Sequence, residues 1–187
     1  YAGVDEKSAD AAEDFLKTII STDEYPLTRL KNTESTEMAK VLENSYRAMN
    51  ISFMVEWSRF AESAGVDLYS VVDAIRMRPT HANLMYPGIG VGGYCLTKDP
   101  VMASWSSERL FGLKSGLGSS VRAVQINDLM PSCAFDFTLR CLGDELNSLR
   151  FVLLGVAYGP GIGDTRCSPV GPYMNHLLSA GAQVSLI

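Results

Sequence analysis

Residues 34–64 set the length scale of this chain. No proline interrupts them, and Met38, Val41, Leu42, Ser45, Met49, Ser52, Phe53 and the run 55–60 return at helical spacing. At 1.5 Å per residue, a helix of about 30 residues is about 45 Å long. That is long for a small domain, and a rod of this length suits a subunit interface. A homodimer built through this central helix is therefore expected. Gly65 closes the pattern, as glycine commonly does just past a helix C-terminus.

The flanking elements are shorter. Ser8 is a candidate N-cap for a helix with Ala11, Ala12, Phe15, Leu16, Ile19 and Ile20 on its apolar face. Residues 21–33 are a polar connector in which Leu27, Thr28 and Leu30 suit a short strand. A short helix is expected over 68–75, then a loop. Residues 100–130 read as helix with a Gly/Ser break at 115–120, and 133–142 is helical again. Residues 151–158 are rich in β-formers and suit a buried parallel strand. A helix over 170–180, closed by Gly181, and a strand over 182–187 follow. This β-loop-α-β order opens a nucleotide-binding-type sheet. The fold class expected is mostly α with α/β ends. Two parallel strands are too few for an independent sheet, so the chain is expected to be an excerpt of a longer protein.

The chemistry concentrates in residues 86–100. Gly88, Gly90, Gly92 and Gly93 fall within six positions, Cys95 follows, and Lys98 and Asp99 come next. Glycines at that density allow sharp turns and close approach to a ligand. A helix is expected from Asp99 or Pro100 to about Ser107, capped by Thr97 or Asp99 with Pro100 at its first position. Cys95 would then stand just before a helix N-terminus, beside Lys98, and both features favour the thiolate. An activated cysteine with a carboxylate four residues on is what covalent catalysis at a carbonyl requires. Cys133, Cys141 and Cys167 read as ordinary buried thiols. No β-branched run precedes the glycines, so they do not read as a dinucleotide fingerprint.

The totals bound the remaining classes. The 187 residues are 47% hydrophobic, enough to build a core, and their formal net charge of −5 comes with no basic cluster, so no nucleic-acid partner is expected. No apolar run is long enough to span a bilayer, so no membrane partner is expected. The four cysteines lack the spacing of a disulfide framework or a zinc site, so no metal is expected, and a reducing cytoplasm fits best.

The segment PGIGVGGYCLTKDP resembles the active-site cysteine motif of the UDP-glucose/GDP-mannose dehydrogenase family, with glycines, cysteine and Lys-Asp in register. Three further segments extend the resemblance. GVDEKSADAAEDF is similar to the last helix of the family's NAD-binding domain. TEMAKVLENSYRAMNI is similar to its central-helix motif, in wording closest to the branch acting on UDP-N-acetylhexosamines. GVAYGPGIGDTRCSP is similar to its UDP-binding segment. The resemblance implies three regions: the tail of an NAD-binding domain and hinge over 1–33, a central helical dimerisation domain over 34–130, and the start of a Rossmann-like UDP-binding domain over 131–187. The strand and fingerprint of the NAD-binding domain itself would lie upstream.

By spacing alone, Lys40 and Asn44 share one face of a helix and read as solvated surface. The resemblance gives them a different role, hydrogen-bonding the reacting oxygen and an active-site water. It likewise implies Cys95 as nucleophile and Asp99 as the group that positions or deprotonates water. Lys98 and Arg166 would contact the cofactor NAD, and Gly92, Tyr86, Tyr158 and His81 the UDP-sugar. The sequence departs from the family at two positions. His81 stands where the closest branch has an arginine that reaches the neighbouring subunit's substrate, and it reads equally as an exposed loop residue. Gly159 replaces a substrate-contacting lysine.

The activity implied is oxidation of a sugar C6 hydroxyl to the uronate through a cysteine thiohemiacetal and thioester. Two alternatives stand beside it. One is a non-catalytic dimerisation and nucleotide-sugar-binding module. The other is a hydroxyacid dehydrogenase of the 3-hydroxyisobutyrate or 6-phosphogluconate type, which shares the lysine–asparagine spacing but has no nucleophilic cysteine after a glycine loop.

Overall fold

A computed structural model describes all residues from 1 to 187. Six α-helices, a short 3-10 turn and two strands follow one another, and the chain divides into two compact units, 1–43 and 44–187. The mostly helical class with an α/β end expected from the sequence is what forms. The long helix forms as well: α2, Thr33–Ala64, runs unbroken across the division, and Gly65 follows it at φ 67°.

In the first unit, α1 spans Glu6–Lys17. Its N-cap is Asp5 rather than Ser8. The Asp5 carboxylate accepts the Ser8 backbone N–H at 2.7 Å, because a cap must stand three residues before the donor it satisfies. That bonding to Ser8 holds the Asp5 carboxyl below its usual range. Arg29 reaches Glu6 at 2.7 Å and Asp10 at 2.8 Å. No strand forms at 27–30. The extended segment pairs only with Tyr1, whose ammonium donates to the Thr28 carbonyl and whose carbonyl accepts from Leu30 N–H, each at 2.8 Å. One residue is too short a partner for a ladder.

In the second unit, α3 (Leu68–Arg76) is capped by Asp67 and folds back on α2, burying Met54, Ala61, Leu68 and Val72 together. The 3-10 turn Pro79–His81 leads to the glycine loop, and α4 spans Cys95–Arg109. The next helix, α5, spans Gly118–Leu142 as a single element, continuing through a buried Pro131 where the sequence suggested two pieces. Ile51 and Val55 of α2 pack on Met130 of α5, with Val91 and Leu96 against them. At the far end, β1 (Arg150–Leu153) and β2 (Gln183–Leu186) pair in parallel, Phe151 opposite Val184, around α6 (Val170–Ser179). Leu146, Leu177 and Ala182 form their core.

Two expectations need correction here. The first strand stops at Leu153 because Gly155 turns away at φ 83°, and its outer face is open, with Val152 exposed. Cys141 and Cys167 are exposed and Cys133 is half-buried, so none of the three is an interior thiol. They sit on a helix flank, in a last turn and in a loop, positions a count of apolar neighbours does not distinguish. No helix is long and apolar enough to cross a membrane. On the surface of α2, Phe53, Trp57 and Phe60 form a continuous exposed ridge with ring centroids 5.9 and 5.8 Å apart.

Candidate active site

Cys95 is the first residue of α4, not the residue before a later helix. Pro100 lies inside the helix and is buried. Its missing N–H forfeits only the bond to the Leu96 carbonyl, so an early proline is tolerated in the second turn. Thr97 does not cap the helix; its hydroxyl donates to the Gly93 carbonyl at 2.9 Å. Tyr94 occupies the N-cap in helical conformation and makes no capping bond with its side chain. The first-turn N–H groups around Cys95 are therefore unsatisfied by side chains, and they carry the positive end of the helix dipole. The Cys95 side chain itself is solvent-accessible.

One turn further along α4 a buried polar chain begins. Asn44 of α2 and Asp99 of α4 are 3% and 7% exposed, and the Asn44 Nδ2 donates to Asp99 Oδ2 at 2.6 Å. The other carboxylate oxygen meets Lys98 Nζ at 2.8 Å. The bond to Asp99 raises the Lys98 pKa, with Tyr94 and Cys95 adding to the effect, so Lys98 is a firm cation beside the thiol.

The segment 158–168, far away in sequence, closes on the glycine loop. Gly93 N–H donates to the Arg166 carbonyl at 2.9 Å. A Cβ on Gly92 would stand 2.6 Å from both the Cys167 carbonyl oxygen and Tyr158 Cβ, so this approach needs glycine. Arg166 grips Asp164 through Nη2 at 2.7 Å and Nε at 3.0 Å, which lowers the Asp164 pKa. Lys98 and Arg166 both lie over the Tyr94 ring, at 5.5 and 5.7 Å from its centre. Two clefts adjoin. One, of about 590 Å³, is lined by Val91, Thr97, Asn127, Thr165 and Ser168. Another, of about 680 Å³, opens where β1 and β2 end, beside Tyr158 and Gly159.

The fold thus gathers Asn44, Gly92, Cys95, Lys98, Asp99, Tyr158 and Arg166. Other expected site residues are engaged differently. Tyr86 stacks on Tyr69, lies under Arg76 at 4.7 Å and bonds Asp73, which raises its phenol pKa. His81 is exposed and contacts Thr80 at 2.9 Å. Lys40, in the first unit, is exposed and 3.5 Å from Glu43. Tyr94 and Asn127 are additions that sequence reading missed. The position of Tyr94, next to the cysteine, could have flagged it, and Asn127 with Asp128 resembles part of the family's helix before its last domain.

A sequence profile of the UDP-glucose/GDP-mannose dehydrogenase family, central domain, matches residues 34–128, more than half of the chain. The chain belongs to that family. A UDP-N-acetyl-D-mannosamine dehydrogenase of Methanocaldococcus jannaschii is 29% identical over 97% of the chain, which spans 39% of that protein. Among solved structures, a UDP-D-ManNAc dehydrogenase of Pyrococcus horikoshii superposes with TM-score 0.83 at 30% identity, covering 99% of this chain and 42% of the other. A UDP-glucose dehydrogenase of Pyrobaculum islandicum gives 0.83 at 28% identity, covering 97% and 40%. This member of the family therefore spans about two fifths of the length of the relatives it matches.

Proposed function

We propose that this chain carries the nucleophile and the sugar-side machinery of an NAD-dependent UDP-sugar 6-dehydrogenase, which oxidises a C6 hydroxyl to a carboxylate. The observation that carries this reading is the Asn44–Asp99–Lys98 chain one helical turn along from an accessible Cys95 at a helix start. The sulfur of Cys95 adds to the C6 aldehyde carbon, and the carbonyl oxygen becomes an oxyanion. Asn44 spends one amide N–H on Asp99 and has a second for that oxygen. Lys40, by its match to the family motif, supplies a cation. One such oxyanion donor is worth about 3 kcal/mol. After the second oxidation, Asp99 orients the water that opens the thioester and returns Cys95 as a thiol.

Lys98 and Arg166 converge on the Tyr94 ring and would hold the cofactor's diphosphate there. Bound there, NAD supplies the hydride acceptor. Gly92 and Tyr158, which approach one another closely, would meet the sugar nucleotide. Tyr86 and His81 belong to the segment that leads into the glycine loop and would contact it from there. The three-part organisation, with boundaries near 34 and 131, and a cytoplasmic site of action complete the proposal. A homodimer through α2 is supported by the aromatic ridge Phe53–Trp57–Phe60; a purely monomeric full-length protein in sedimentation would remove that part.

A second reading, a non-catalytic nucleotide-sugar-binding module, is favoured by Gly159 in place of the family's lysine. Cys95→Ser in the full-length protein decides between them. A hydroxyl at that position should stop formation of the acid product while UDP-sugar binding persists. Unchanged acid output would remove Cys95 as nucleophile, and an unsubstituted protein with no turnover would favour the module.

A further inference from the structure

We infer that Asn127 is a positioning residue for the Cys95 loop, an inference that rests on the reading of Cys95 as nucleophile. Asn127 lies on α5, 36 residues from Val91. Its Oδ1 accepts the Val91 N–H at 2.7 Å, and its Nδ2 donates to the Val91 carbonyl at 2.9 Å. One side chain thus satisfies both backbone groups of a single loop residue, as a neighbouring strand residue would.

A second feature of α5 points the same way. Pro131 stands four residues after Asn127 and has no N–H, so the Asn127 carbonyl loses its helical partner. That carbonyl oxygen and Oδ1 both face Gly90, where a Cβ would stand 3.3 Å from each. Both oxygens of Asn127 are therefore turned toward the glycine loop.

The loop has no regular structure of its own between Tyr86 and Cys95. Asn127 holds it at Val91, and Arg166 holds it at Gly93. Glycines otherwise leave such a segment wide conformational freedom. With the bonds that Tyr69 and Thr97 give the Pro87 and Gly93 carbonyls, these two ties fix the place of Cys95 relative to a substrate, and a displacement of about 1 Å can cost roughly 100-fold in rate. Asparagine suits the role because it offers an acceptor and a donor on one short side chain. An ionised aspartate keeps the acceptor for Val91 N–H but sets an oxygen against the Val91 carbonyl. A protonated aspartate restores both bonds.

That chemistry supplies the test. In the full-length protein, turnover is measured with NAD and UDP-N-acetyl-D-mannosamine as probes. Asn127→Asp, which keeps the side chain's shape, is expected to lower kcat roughly 10- to 100-fold at pH about 8, with both KM values within about two-fold. As pH falls toward about 5, the ratio of Asn127→Asp to unsubstituted kcat should rise at least about five-fold as the carboxyl protonates. Asn127→Ala should lose as much activity and show no rise. An Asn127→Asp protein with full kcat, or ratios for both variants that stay flat with pH, would overturn the inference. Full turnover by Cys95→Ala would instead overturn the nucleophile reading on which it rests, and is scored on a separate variant.

Discussion

Helices α1 and α4 begin in opposite ways. The start of α1 is closed: Asp5 accepts the Ser8 N–H, and Glu6 adds an acid to the first turn. The start of α4 is open: Tyr94 offers no capping bond, the first turn holds no acid, and Cys95 occupies the first position. A capped terminus contributes stability and has already spent an N–H and part of its positive field on its own side chains. An uncapped one leaves N–H donors and a positive field for whatever negative group arrives. The difference separates a helix start closed by its own side chains from one that, on the proposed function, is given over to chemistry.

The sharpest way to break this contrast is Asp99→Asn. It strips Lys98 of its partner and turns the bond from Asn44 into one between two amides. Turnover of the full-length protein should fall at least about 100-fold, because in the proposed mechanism both oxyanion and water positioning go through that carboxylate. Near-normal turnover would place Asp99 outside the chemistry. Gly92→Ala comes next. The new Cβ would collide with the backbone at Cys167 and with Tyr158, so a melting curve should record a loss of about 1–3 kcal/mol. An unchanged midpoint would mean the two segments are not tightly joined.

The mildest change is at the closed end. Asp5→Ala should lower the helicity of α1 slightly and leave the alkylation rate of Cys95 untouched. The same cap has a pH signature. The Asp5 pKa is lowered in the folded state, so its contribution is complete above the unfolded value of about 3.9 and disappears as pH falls through the folded one. Asp5→Asn, which caps without a charge, should erase that acid-dependent loss of helicity; a loss that persists would assign it to another carboxylate.

Much of the fold was legible in the chain. The proline-free run gave α2 nearly to the residue, because a sustained apolar period is a strong local signal. Helix ends were read less well. Ser8 and Asp5 are both good caps by type, and the choice depends on backbone angles. At α4, Pro100 argued for a later start, yet the second turn absorbs a proline at the loss of one bond. Of the site, Cys95, Lys98 and Asp99 were visible because they are adjacent in sequence and match a family motif. The Asn44–Asp99 bond spans 55 residues, and the Asn127 clamp spans 36. No periodicity reports such pairs. The polar tip of Tyr86 faces Asp73 and Arg76 of α3, partners that no spacing along the chain announces.

The unbroken course of α5 bears on how this protein can be taken apart. A seam between the helical region and the α/β end was expected after residue 130, and that point falls inside a helix. Asn127 grips the glycine loop upstream of it, while Ser132 and Thr138 bond His176 and Tyr173 of α6 downstream. Anyone trading the C-terminal part between relatives, to alter which sugar is accepted, would be sawing through the spindle that both halves turn on. The graft should carry α5 whole, with the glycine loop it holds, so that the unit of exchange is set by this helix and not by the domain name.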